Sequence, residues 1–112
     1  MNNQQRLHLE IQGIELTHEE MQVYLAENGL EHYDEYNPES NKSKRAIYAT
    51  ALSILESVAN NPELMKDYKQ DDMTISAFHE NLLSRIDQLE RKIRTMPVSD
   101  NNSDSSFFML FQ

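Results

Sequence analysis

The spacing of apolar residues predicts three main helices. The first follows a capping box at residues 17–20, in which the Thr17 hydroxyl and the Glu20 carboxylate each bind the other residue's amide. It is short and is expected to stop at Gly29, because glycine tolerates the left-handed backbone that ends many helices. Its apolar stripe consists of Met21, Tyr24 and Leu25.

The second predicted helix runs from about residue 39 or 41 to Ala59 and carries the strongest apolar stripe. Asn60-Asn61-Pro62 ends it, and a short helical turn is expected to restart at Pro62, since proline suits a first helical position. The stripe predicts that this is the most buried helix. It consists of Ile47, Ala51, Ile54, Leu55 and Val58.

The third predicted helix begins at a Thr74 cap, with a hydrophobic staple between Met73 and Phe78, and ends at Met96 before Pro97. Its apolar positions follow a heptad pattern, and such a stripe more often packs in the core of a single chain than in a coiled coil. When the stripe is longer than the helices that cover it within the chain, it leaves apolar surface for a neighbouring subunit. The stripe, which we call the heptad seam, consists of Ile75, Leu82, Ile86, Leu89, Ile93 and Met96.

A two-residue period near the start of the chain predicts a β-strand between Arg6 and Leu16. Leu7, Leu9 and Ile11 alternate with polar residues, and Gly13 allows a bulge or a break into two short strands. A lone strand leaves its backbone groups unpaired, so it either forms a marginal hairpin or pairs with the edge of another subunit.

The chain ends in an apolar segment behind the polar spacer Ser99–Ser106. Either this segment folds onto the chain's own core, or it docks on another molecule through buried aromatic anchors, and docking is favoured. The segment consists of Phe107, Phe108, Met109, Leu110 and Phe111.

These elements predict a mainly α fold. It is a small helical bundle with three main helices, one short helix, an N-terminal strand and an extended C-terminal tail. The expected divisions are an extended arm at residues 1–16, a helical domain at 17–97, and the spacer with its docking tail at 98–112.

The charge distribution argues against a nucleic-acid binder. The 112 residues carry a net charge of -9, with 10 Lys+Arg against 19 Asp+Glu. Residues 1–40 hold nine of the acidic residues and one basic residue, whereas the remainder is nearly neutral. No run approaches the roughly 20 apolar residues of a membrane span.

No motif for catalysis or for metal binding stands out. The chain has no cysteine and two glycines, which excludes thiolate chemistry and a glycine-rich phosphate loop. Its four histidines lie in four different segments, and Asp71-Asp72 suits the approach to a helix better than it suits a catalytic dyad. We therefore expect neither an enzyme nor a bound metal or cofactor.

Three basic residues at the start of the second helix, Lys42, Lys44 and Arg45, are unfavourable for the helix dipole. Facing an acidic partner would offset this cost, and the acidic first third of an adjacent copy is one such partner.

The stretch from about Asn41 to Pro97 resembles the head-completion, or head-to-tail adaptor, proteins of tailed bacteriophages. The features shared are an apolar helix, the break at Asn60–Leu64, the loop from Tyr68 to Thr74 and a long charged final helix. They cover about half of the chain, and none is a catalytic signature.

The resemblance implies a virion protein, assembled in the host cytoplasm, that forms a ring linking the portal to tail components. The helices would make lateral contacts, the strand and the apolar tail would dock on neighbouring proteins, and DNA would be only a passing cargo. The alternative is a small acidic cytoplasmic regulator that binds one protein partner, with mimicry of DNA as a special case.

Overall fold

The computed structural model describes residues 1–61 and 74–96. The helical turn expected at Pro62, the staple between Met73 and Phe78, and the apolar tail lie wholly or partly outside these residues. The described part contains four helices: α1 (Asn3–Glu10), α2 (His18–Glu27), α3 (Asn41–Ala59) and α4 (Ile75–Thr95).

The three helices predicted from apolar spacing are confirmed, together with two of their caps. The Thr17 hydroxyl accepts a hydrogen bond from the Glu20 amide at 3.1 Å, and the Glu20 carboxylate accepts one from the Thr17 amide at 2.9 Å. The Thr74 hydroxyl likewise accepts one from the Ala77 amide at 3.1 Å. After α2, Gly29 has a φ of +80°, the left-handed conformation expected where this helix stops.

Helix α3 lies at the centre of the bundle, because α1, α2 and α4 all pack against it. The five apolar residues predicted for its stripe are all buried, and Thr50 lies among them, its hydroxyl bonded to the Ala46 carbonyl. The other helices and the α1–α2 connection complete one core with Leu7, Ile11, Ile14, Met21, Leu25, Phe78, Leu82 and Leu89.

The predicted N-terminal strand is wrong, because the segment begins with a helix. Asn2 and Gln5 form a second capping box, in which each side chain accepts a hydrogen bond from the other residue's amide at 2.8 Å. The apolar residues that decide the fold are Leu7, Ile11 and Ile14. Leu7 lies on α1 and Ile11 is its C-cap four residues later, so they face the same side, whereas Ile14 lies in the connection after Gly13; all three are buried.

Helix α1 is also tied to the rest of the bundle, so the expected extended arm at residues 1–16 is not observed. Its first amide groups have no partner within the helix and instead bond to the loop after α2. The Asn3 amide donates to the Asp34 carbonyl at 2.9 Å, and the Gln4 amide donates to the His32 carbonyl at 3.1 Å.

Arg85 of α4 caps the C-terminal end of α1. Its guanidinium donates to the Glu10 carbonyl at 2.7 Å and to the Gln12 carbonyl at 2.8 Å. These carbonyls lie where a helix lacks internal donors, so one side chain supplies two missing bonds. Burial lowers the pKa of Arg85, and the nearby Glu10 carboxylate opposes that shift.

Replacing Arg85 with methionine is expected to lower the free energy of unfolding by roughly 1.5–3 kcal/mol, because two charge-assisted hydrogen bonds are lost while the aliphatic packing is kept. Arg91 offers a matched control on the same helix, since it makes an exposed ion pair with Asp87 at 2.7 Å. Arg91→Met should cost less than about 1 kcal/mol. Urea unfolding followed by circular dichroism measures both, and equal losses would show that Arg85 does not hold α1.

Candidate functional site

A groove with a volume of about 1000 Å³ runs between α1 and the start of α2. Gly13 makes it possible, because its φ of +93° lets the chain turn between the two helices. The apolar part of the lining comes from Met1, Leu9, Leu16 and Met21.

Polar but uncharged side chains complete the groove. Among the described residues that line it there is no aspartate, glutamate, lysine or arginine, although such residues make up 26% of the chain. Methionine side chains adapt to irregular apolar partners, and amide or imidazole groups can bond a peptide backbone. The polar lining consists of Asn2, Gln4, Gln5, His8, His18, Gln22 and His32.

Three of the four histidines meet at this groove, although the sequence places them in separate segments. His8 comes from α1, His18 from the start of α2 and His32 from the loop after α2. The His18 Nδ1 atom is hydrogen-bonded to the Gln4 side-chain amide, which joins the two walls. Within residues 1–61 and 74–96, no group of three or more histidine, aspartate or glutamate side chains is arranged to hold a metal ion.

Helix α1 also carries a second cluster, centred on Arg6. The Arg6 guanidinium lies 5.4 Å from the ring centre of Tyr36 and 5.9 Å from that of Tyr48, and it pairs with Glu10 at 3.1 Å. The Lys92 ammonium lies 5.0 Å from the same Tyr48 ring. Burial alone would lower the pKa of Arg6, but hydrogen bonds to Glu10 and Tyr36 raise it overall. This cluster connects α1, α3 and α4.

The structure places the three predicted basic residues at one end of the bundle, where the start of α3 meets the end of α4. Lys44 and Lys92 line one shallow pocket, and Arg45 and Arg94 line another. The Arg45 guanidinium donates to the Ile93 carbonyl at 2.8 Å, so it closes the end of α4. Lys42 is exposed on the first turn of α3. That these residues meet an acidic partner stays a prediction.

The acidic first third of the chain forms an exposed surface around α2 and the following loop. Seven of its nine carboxylates are exposed, and the surface they form is named the acidic face. Its members are Glu15, Glu19, Glu27, Glu31, Asp34, Glu35 and Glu39.

Helix α4 leaves part of its apolar seam uncovered, as its length predicted. Leu82 and Leu89 are buried against the bundle, whereas Ile75 and Leu83 are 45% and 49% exposed. Ile86 and Ile93 are partly buried beside them. We call Ile75, Leu83, Ile86 and Ile93 the apolar flank of α4; Leu83 was not recognised from the sequence because it lies off the heptad seam.

The remaining predicted partner-binding residues fall into three places. Leu7 and Ile11 lie in the core, with 0% and 2% of their surface exposed. Leu9 is 49% exposed and lines the groove. The residues of the apolar tail, Phe107, Phe108, Met109, Leu110 and Phe111, lie outside the described residues, so tail docking stays a prediction.

Comparison of the chain with protein-family models, with curated proteins and with solved structures finds no match. None of the four described helices is both long enough and apolar enough to cross a membrane.

Proposed function

We propose that this protein is a structural adaptor whose copies assemble side by side and dock on further proteins. The observation that carries the proposal is the apolar flank of α4. Ile75 and Leu83 expose nearly half of their surface on a helix that packs mainly against α3. Covering such side chains contributes about 25 cal/mol per Å² of apolar surface removed from water, which favours a second subunit on this face.

The charge distribution supports contacts between unlike surfaces. Where the start of α3 meets the end of α4, Lys44 and Lys92 line one shallow pocket and Arg45 and Arg94 line another, which also includes Glu90. The acidic face lies around α2 and the loop after it. A contact between two different patches of identical subunits repeats by rotation, and it produces a ring when the rotation closes. Opposite charges on the two patches would orient neighbouring copies.

The specific form of the proposal is a head-to-tail adaptor of a tailed bacteriophage. It rests on the resemblance of residues 41–97 to these adaptor proteins, on the partly exposed apolar flank of α4 and on the apolar tail. In this role the ring lies between the portal and the tail components of the virion, and DNA passes through without being held. The adaptor performs no catalysis and binds no cofactor.

The second candidate is a small acidic regulator that binds one basic protein partner. The acidic face favours it, because seven exposed carboxylates on one part of a small chain present the charge pattern that a basic surface recognises. Mimicry of DNA is the special case in which that partner is a nucleic-acid-binding protein. A regulator of this kind acts as a monomer or in a one-to-one complex.

Measuring the mass of the purified protein by light scattering, alone and with a portal protein, separates the two candidates. An adaptor is expected to form a defined oligomer whose population rises with concentration or with portal. Leu83→Lys should weaken that assembly about tenfold or more, since a charge replaces an apolar contact worth roughly 1.5–3 kcal/mol when buried.

Ser84→Lys is the matched control, because Ser84 is exposed on α4 and lies about 100–180° around the helix from the residues of the apolar flank. It should leave assembly unchanged. A protein that stays monomeric at all concentrations and with portal present would contradict the adaptor proposal and favour the regulator.

A further inference from the structure

We propose that the groove between α1 and α2 binds the apolar tail, Phe107–Phe111, of a second copy of this chain. The inference rests on the proposed function, since it names the partner of one docking contact in the assembly. It assigns the groove the role of receiving a neighbour's tail.

The lining of the groove fits an apolar peptide. Its described residues include no Asp, Glu, Lys or Arg, and they combine the apolar Leu9, Leu16 and Met21 with amide and imidazole groups. Covering these residues desolvates no charged side chain, and hydrogen bonds to the bound peptide would offset the desolvation of their amide and imidazole groups. Ligand sites are typically pockets with an apolar lining and a few polar groups, with volumes of roughly 300–1,000 Å³. The groove, at about 1000 Å³, lies at the upper end of that range.

The tail is the segment of this chain with the matching chemistry. Residues 107–111 form its longest unbroken apolar run and carry no charge. Aromatic anchors of this kind provide most of the binding energy of many interfaces. The polar groups of the groove, such as Gln5 and His8, can bond the backbone of the bound peptide.

Part of the groove faces away from the point at which the described chain ends. Helix α4 ends beside Lys92, which contacts Tyr48, and Tyr48 in turn contacts Arg6 of α1. At about 100° per residue, Gln4 and His8, which line the groove, lie about 160° around α1 from Arg6, whereas Leu9 lies about 60° from it. The part of the groove formed by Gln4 and His8 therefore favours a tail that arrives from a neighbouring copy.

The spacer is long enough to reach another subunit. Ten residues, from Pro97 to Ser106, precede the apolar tail. Fully extended, they span at most about 33–36 Å. The described part of the molecule measures 48 × 29 × 19 Å, and this reach exceeds its two smaller dimensions, so the tail of one copy can extend to the groove of an adjacent one.

A disulfide-trapping experiment on the full chain tests the contact, because the protein contains no cysteine of its own. One preparation carries Leu9→Cys, and a second, enlarged by a tag, carries Phe108→Cys. The two are mixed under mild oxidation and analysed on a non-reducing gel. The band formed by one tagged and one untagged chain reports the tail of one copy in the groove of another.

The control replaces the groove cysteine with Val23→Cys. Val23 is 56% exposed and Leu9 is 49% exposed, but Val23 does not line the groove. The mixed band is expected to form about tenfold or more faster with Leu9→Cys than with Val23→Cys, because docking raises the effective concentration of the tail at the groove. Both sites are exposed, so neither substitution removes a core contact.

Three results would overturn the inference. Equal rates with the two partners would show that the tail has no preference for the groove. A disulfide formed only within single chains of a Leu9→Cys, Phe108→Cys double variant would assign the groove to the chain's own tail. Absence of the mixed band from the two cysteine variants, when the wild-type protein assembles, would reject the groove contact while leaving the adaptor proposal intact. A wild-type protein that never assembles rejects both.

Discussion

Replacing Leu7 with alanine is expected to lower the free energy of unfolding by about 2–5 kcal/mol, whereas Leu9→Ala should cost less than about 1 kcal/mol. The two leucines lie two residues apart, but Leu7 is fully buried in the core and Leu9 is 49% exposed. Chemical unfolding of the two variants, followed by circular dichroism, measures the difference directly.

This pair of variants distinguishes a helix from a strand in the N-terminal segment. In a strand, Leu7, Leu9 and Ile11 share one face, so the two substitutions would cost similar amounts. In helix α1, Leu7 and Ile11 share the buried side and Leu9 does not. Similar losses for Leu7→Ala and Leu9→Ala would contradict α1 as described here.

Deleting Phe107–Gln112 is expected to abolish assembly while leaving the helical content unchanged. Each of the three phenylalanines and the two aliphatic residues can contribute roughly 1.5–3 kcal/mol when buried, so their joint removal takes away a large part of an intersubunit contact. The described core is formed by the four helices and the α1–α2 connection, which pack against one another. Far-UV circular dichroism gives the helical content, and light scattering gives the mass.

The control for this deletion keeps the tail and changes only its spacer. Asp100→Asn together with Asp104→Asn should preserve assembly, since the length and the apolar residues are retained. A deletion that lowers the helical content would place the tail in the chain's own core. A deletion that preserves the oligomer but removes binding to portal would place the tail on another protein, not on a second copy.

Three of the helices could be predicted from the sequence because local signals agreed with apolar spacing. At α2, the Thr17 to Glu20 capping box and Gly29 mark the two ends of the helix. At α3, a stripe running from Ile47 to Val58 has the helical period throughout. Where the start signal, the apolar stripe and the stop signal all indicate the same helix, the local sequence is enough to predict it.

The first helix was missed because a short apolar run fits two periods. Leu7, Leu9 and Ile11 satisfy a period of two, while Leu7, Ile11 and Ile14 satisfy the spacing of a helix. The deciding signal was present at Asn2 and Gln5, whose side chains form the capping box. A search for such boxes with asparagine as the cap would have identified α1.

The groove could not be predicted, because its walls are separated along the chain. His8, His18 and His32 share no helical spacing, and they meet only after the turn at Gly13 has brought α2 against α1. The apolar flank of α4 was partly predictable, since the length of the seam indicated it. Which side chains remain exposed depended on how α3 packs.

The closure of α1 by Arg85 has a consequence for the order in which the chain folds. Helix α1 has eight residues, too few for an isolated helix to persist in water. The carbonyls of Glu10 and Gln12, at and just beyond its end, receive donors from a residue 73 to 75 positions later in the sequence. During synthesis, Arg85 leaves the ribosome long after α1 has emerged, so this end of α1 gains its two donors later than the contacts that its start makes with the loop after α2.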